Sequence, residues 1–168
     1  MAAQEYRYDT EVVRLFYDYT SSVVWFPYPI GYDESGLSAA LVADLKAWGL
    51  LHDEGLDSEQ MWRSPELAAQ AARECEQLAH RLGDELGSTF EIEFSVFTPP
   101  KRIYRSAEAP TNPAAAAVFA AWADAARAEN ARLARAAAER RGGEIRGRWF
   151  AVMPDGTRFK PIDPPPQK

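Results

Sequence analysis

The chain has 168 residues, of which 46% are hydrophobic and 12% aromatic. That is enough apolar mass for one buried core, and it excludes disorder by composition. The formal charge of −6 is unevenly spread: residues 1–126 hold nine basic and twenty acidic residues, a balance of −11, whereas residues 127–168 hold ten and five, a balance of +5. Seven acids crowd Asp33–Glu59 against Lys46 alone. A chain so polarised steers partners of opposite charge, and solvated surface at both ends accounts for it equally well.

No segment reaches the ~18 uncharged apolar residues that a membrane span needs. The first nine residues carry Glu5, Arg7 and Asp9 without an apolar run, so no secretory signal is expected. One cysteine, Cys75, cannot close an internal disulfide and fits a reducing compartment. The expectation is a soluble, cytoplasmic protein. Fifteen arginines against four lysines reflect a high-GC genome.

In chain order, Glu11–Thr20 reads as a strand with both faces partly buried, and Val23–Phe26 as a second, stopped by Pro27 and Pro29. Pro27–Gly36 combines two prolines with two glycines and reads as a loop. Ser38 is a helix N-cap, with Leu37 placed to staple onto Val42. Leu41, Val42, Leu45 and Trp48 then recur as an apolar stripe, and the helix is expected to end by Gly55. Ser64-Pro65-Glu66 opens a second helix whose buried stripe is Leu67, Ala71, Cys75, Leu78 and Leu82, with Gly87 as its stop. On that stripe Cys75 is a core residue rather than a nucleophile.

Thr89–Phe97 alternates cleanly, with Phe90, Ile92, Phe94 and Val96 toward the core and Thr89, Glu91, Glu93 and Ser95 toward solvent. Ile103 and Tyr104 suggest a short strand. A long helix follows, from Asn112-Pro113 to Gly142-Gly143, with Phe119, Trp122, Ala126, Leu133 and Ala137 along one stripe. Its second half, with Arg127, Arg132, Arg135, Arg140 and Arg141, is too polar for full burial and either projects past the core or packs by its alanine side. Arg146–Met153 and Thr157–Pro161 read as a hairpin about Pro154-Asp155-Gly156, and residues 163–168 as a disordered tail. The sum is an α+β fold: a mostly antiparallel sheet packed by about three helices, one of them long, in a single domain over residues 1–162.

The search for chemistry finds no recognisable catalytic motif. His52 and His80 have no metal-ligand spacing and no second cysteine, and His52-Asp53-Glu54 reads as a solvated helix end. No nucleophile elbow and no phosphate-cradling glycine loop occurs, so no catalytic residue, metal or cofactor is expected. An enzyme would need a site gathered from distant positions such as Tyr17, Asp18 and His52. A nucleic-acid role would use Arg140, Arg141, Arg146 and Arg148, with Trp149 and Phe150 to stack on bases, against the −11 balance of the rest. The remaining feature is Trp25–Glu34, where Trp25, Phe26, Tyr28, Ile30 and Tyr32 crowd a proline-stiffened stretch that runs into acids. Interface centres favour such residues, although the same aromatics would also cap a core.

Leu15–Thr20, Trp25-Phe26, the spacing Leu37-Ser38-x-x-Leu41-x-x-x-Leu45-x-x-Trp48 and the ending Leu82-Gly83-x-x-Leu86-Gly87 together resemble small actinobacterial proteins, some of which accompany polymorphic toxins as immunity proteins. The resemblance covers about the first 97 residues. It implies an immunity role, binding a protein partner, and brings no catalytic residues with it; with the acidic Asp33–Glu59 region facing that partner, a basic toxin is the expected class. Partner-binding candidates are Trp25, Tyr28, Tyr32, Asp33, Glu34, Asp53 and Glu54.

Overall fold

The computed structural model describes residues 10–94, 101–142, 151–152 and 158–159. The chain divides into two compact units, residues 1–127 and 128–168. In the first, β1 (Val12–Leu15), β2 (Val24–Trp25), β3 (Glu91–Phe94) and β4 (Arg102–Tyr104) form one sheet in the order β2-β1-β3-β4. The outer pairs are antiparallel and the central pair β1–β3 is parallel. A parallel pair needs a long crossover, and the chain supplies it between β2 and β3 as α1 (Tyr32–Ser35), α2 (Ala39–Gly55) and α3 (Pro65–Leu86). The class is α+β.

Local signals place the helices. Ser38 Oγ accepts from the Leu41 N–H at 3.3 Å, and Ser64 Oγ from the Leu67 N–H at 3.2 Å. Asn112 Oδ1 accepts from the Ala115 N–H at 3.2 Å and so caps α4 (Pro113–Gly142). Glu85, near the end of α3, accepts from the Ser38 N–H at 3.0 Å, the Ser38 hydroxyl and Asn112 Nδ2 at 2.9 Å. One carboxylate thus ties the starts of α2 and α4 to the end of α3. Gly83 lets α3 lie close to the sheet, because a Cβ there would stand 2.6 Å from the Tyr104 ring. Gly87 ends α3 in a positive-φ conformation (77°) against Pro110.

Residues that share a sheet face follow from the register. Val13 pairs with Ile92, and Leu15 with Phe94 and Val24. These five are buried together with Leu41, Leu45 and Trp48 of α2, Cys75, Leu78 and Leu82 of α3, and Phe119 of α4. Each such large side chain contributes about 1.5–3 kcal/mol through burial. Cys75 is a core residue, as its place on the α3 stripe predicts. The other face carries Val12, Arg14, Trp25, Glu91, Glu93 and Ile103.

Several expectations change. The first strand stops at Leu15 rather than Thr20, and Tyr19 turns to φ 48° and is exposed. The expected loop Pro27–Gly36 contains the one-turn helix α1. Glu93 is not on the wet side of the sheet: it is 7% exposed, because Arg14 Nε at 3.1 Å and Lys101 Nζ at 3.0 Å both close on its carboxylate. Two cations make that burial tolerable. Residues 95–97 of the expected strand lie outside the described residues.

In the second unit, the rest of α4 carries an ion pair between Arg132 and Glu129 at 2.6 Å. Leu133 is 51% exposed, and its neighbours Arg132, Ala134 and Arg135 are exposed too, in keeping with a second half of the helix too polar to be fully buried. The hairpin is present as β5 (Ala151–Val152) paired antiparallel with β6 (Arg158–Phe159). Its turn and the expected tail lie outside the described residues. Among the described residues, no helix is long and apolar enough to cross a membrane.

Candidate functional site

The aromatic stretch after β2 splits into inward and outward residues. Phe26 and Ile30 are buried, and their N–H groups bond to the Tyr28 carbonyl at 2.7 Å and the Val24 carbonyl at 3.0 Å. These two cap the core. Between them Pro27 and Pro29 force Tyr28 outward, where it is 70% exposed. Tyr32, half-buried, accepts a 3.2 Å bond from the Val23 N–H, and the Lys46 ammonium lies 5.6 Å from its ring centre. Residues Phe26–Gly31 face Trp122, Ala125 and Ala126 of α4 across an open groove of about 350 Å³, and Glu34 stands at its edge. Trp25 does not line this groove: it stacks on Phe16 at 4.9 Å on the other sheet face, with its indole N–H buried and without a hydrogen-bond partner among the described residues.

The seven acids of Asp33–Glu59 have different fates. Asp44 pairs with Arg81 at 2.6 Å. Asp57 folds its carboxylate onto the Glu59 and Met61 N–H groups at 2.9 and 3.0 Å, which holds its pKa below the usual carboxylate value. Asp53 accepts the Tyr17 hydroxyl. Asp33, Glu34, Glu54 and Glu59 are exposed.

His52 departs most from expectation. It lies in the last turn of α2 beside the exposed Asp53 and Glu54, as expected, but is itself half-buried because three rings enclose it. Tyr17 stacks on it at 4.8 Å and 17°, Trp48 meets it edge-on at 4.3 Å, and Trp62 lies at 4.9 Å. Burial pushes the His52 pKa down, partly offset by the bond between its Nδ1 and the Trp48 carbonyl at 2.9 Å. That bond fixes the neutral tautomer with the proton on Nδ1. Burial, with Asp53 adding to it, pushes the Tyr17 phenol well above its ordinary pKa. Tyr17 and His52 are thus brought together, while the carboxylate that joins them is Asp53 and Asp18 stays exposed. The rings meet face to face and bond to separate acceptors, an arrangement for packing rather than for passing a proton between them.

Arg140 and Arg141 fall in the last turn of α4, and their side chains lie outside the described residues, as do Arg146 and Arg148. Among the described residues no group of histidine, cysteine and acids could hold a metal ion. The groove residues missed in the sequence are Trp122, Ala125 and Ala126. A tryptophan followed by small residues on α4 was the available signal, but Trp122 and Ala126 were read only as part of the helix's apolar stripe.

No curated protein and no solved structure matches the chain. A family profile described as Serratia CdiI immunity protein-like matches residues 11–96, just over half of the sequence and the span from β1 through β3. The aromatic stretch, the acids and the His52 cluster all fall inside it. The chain belongs to the Serratia CdiI immunity protein-like family.

Proposed function

We propose that this protein neutralises a cognate toxin by binding it in the cytoplasm, and that the toxin presents a basic surface. The observation that carries the reading is membership of an immunity-protein family over residues 11–96. Two structural features support where binding occurs. Tyr28 is held outward beside a groove, and rigid exposed aromatics anchor interfaces at small entropic cost. Asp33, Glu34 and Glu54 are exposed acids that complement a basic partner, raising its association rate.

The test is a binding and growth-rescue experiment with the toxin domain encoded beside this chain. The wild type should form a one-to-one complex and protect cells expressing the toxin. Charge reversal of Asp33, Glu34 and Glu54 together should slow association most at low salt and leave the unfolding midpoint unchanged. Failure of the wild type to bind or protect would dispose of the immunity reading. Equal binding by the reversed variant would dispose only of its electrostatic part.

A further inference from the structure

The lining of the groove is more selective than an apolar patch. Trp122 offers a flat ring and Pro27, Pro29 and Ile30 aliphatic surface, Tyr28 stands beside them, and among the described residues no basic side chain contributes. The Glu34 carboxylate at the edge makes no ion pair or hydrogen bond among the described residues. Arg127, next to Ala126 in sequence, is already engaged by Asp124 and by Thr10 Oγ1, each at 2.9 Å, and Lys46 lies over Tyr32. An aliphatic or aromatic occupant would cover the apolar lining but desolvate Glu34 without replacing its water. An acidic occupant would meet Glu34 and the neighbouring Asp33 as like charges.

A planar cation satisfies both parts. A guanidinium stacks on aromatic rings and pairs side-on with a carboxylate, whereas an ammonium is a compact, strongly hydrated charge without a flat face. The same fold already places cations over rings, Lys46 over Tyr32 at 5.6 Å and Arg102 over Phe94 at 5.2 Å. We propose that the groove between Phe26–Gly31 and Trp122 seats an arginine side chain from the surface of the toxin, stacked on Tyr28 or Trp122 and paired with Glu34. This rests on the immunity reading and names the chemistry of its partner.

The experiment titrates the isotope-labelled full chain with three pentapeptides, glycines around a central arginine, lysine or citrulline, followed by backbone and indole NMR shifts. Arginine should give saturable shifts at Tyr28, Ile30, Gly31 and Trp122. Glu34→Gln should weaken that binding by about fivefold, the upper range for a partly exposed ion pair. Neutral citrulline and lysine should bind more weakly still. Shifts elsewhere, or equal binding by citrulline or lysine, would overturn the arginine seat. A second arm measures the toxin domain against the wild type, Glu34→Gln and Tyr28→Ala. Equal affinity for all three overturns the groove while leaving immunity intact. No binding by the wild type removes the toxin as the source of the arginine, and the proposal falls with the reading beneath it.

Discussion

The His52 cluster and the Tyr28 groove are built from the same materials, aromatic rings beside acids, yet they leave their polar groups in opposite states. Around His52 the Tyr17 hydroxyl is bound by Asp53, the Trp48 indole N–H donates to the Ala71 carbonyl at 2.9 Å, and His52 Nδ1 is fixed on the Trp48 carbonyl at 2.9 Å. Around the groove, the Glu34 carboxylate makes no ion pair or hydrogen bond among the described residues. The difference teaches that aromatic and acidic composition does not by itself mark a binding surface. What separates the two is whether the polar atoms are satisfied within the chain.

The largest effect expected from this contrast is on stability, on the closed side. Trp48 is 4% exposed, touches His52 and bonds to α3 through Ala71, so Trp48→Ala removes a large core side chain and a link between two helices. It should cost about 3–5 kcal/mol, read as a lowered urea midpoint. A loss below about 1 kcal/mol would mean that the cluster is not a stabilising unit. Tyr17→Phe keeps the ring stack and deletes only the bond to Asp53. It should cost about 1 kcal/mol, the usual net value of one hydrogen bond.

A smaller effect comes from pH. The folded pKa of His52 lies below its unfolded value of 6.5. The unfolded chain therefore takes up its proton first as pH falls, and stability is lost in that direction. The contribution is complete above pH 6.5 and disappears as pH drops through the lowered folded pKa. The urea midpoint should decline from pH 7.5 to about 5.5 in the wild type, and His52→Phe should flatten that decline. The carboxyls of Asp57, held by backbone N–H groups, and Glu76, held by the Arg102 guanidinium at 2.5 Å, are depressed and act in a lower window, below their ordinary values of 3.8 and 4.5. A wild-type midpoint independent of pH across the histidine window would contradict the enclosed, neutral imidazole.

What the sequence made legible follows the range of the interactions. Ser38, Ser64 and Asn112 cap their helices through N–H groups three positions away, so short-range spacing sufficed. The α3 stripe through Ala71, Cys75, Leu78 and Leu82 was legible for the same reason, because its period is local. Glu93 was misread because strand alternation placed it toward solvent, whereas its partner Arg14 lies 79 positions earlier. His52 was misread because Tyr17 and Trp62 come from separate segments that only the fold brings together. The aromatic stretch was legible as unusual, but which of its rings turn inward depends on the core they meet. Its opposite wall, Trp122, lies nearly a hundred residues away and outside the family match.

The smallest expected change in stability tests the open side most directly. At 70% exposure Tyr28 contributes little burial, and the backbone around it is held by Pro27, Pro29 and the bonds of Phe26 and Ile30. Tyr28→Ala should therefore leave the urea midpoint within about 0.5 kcal/mol of the wild type, as for most exposed substitutions. Its cost should fall on the complex instead: an interface anchor loses about 2 kcal/mol on truncation, which lowers toxin affinity by more than tenfold. If Tyr28→Ala destabilised the free protein as Tyr17→Phe does, the ring would be part of the packed structure. The line between a closed cluster and an open one would then have to be drawn elsewhere.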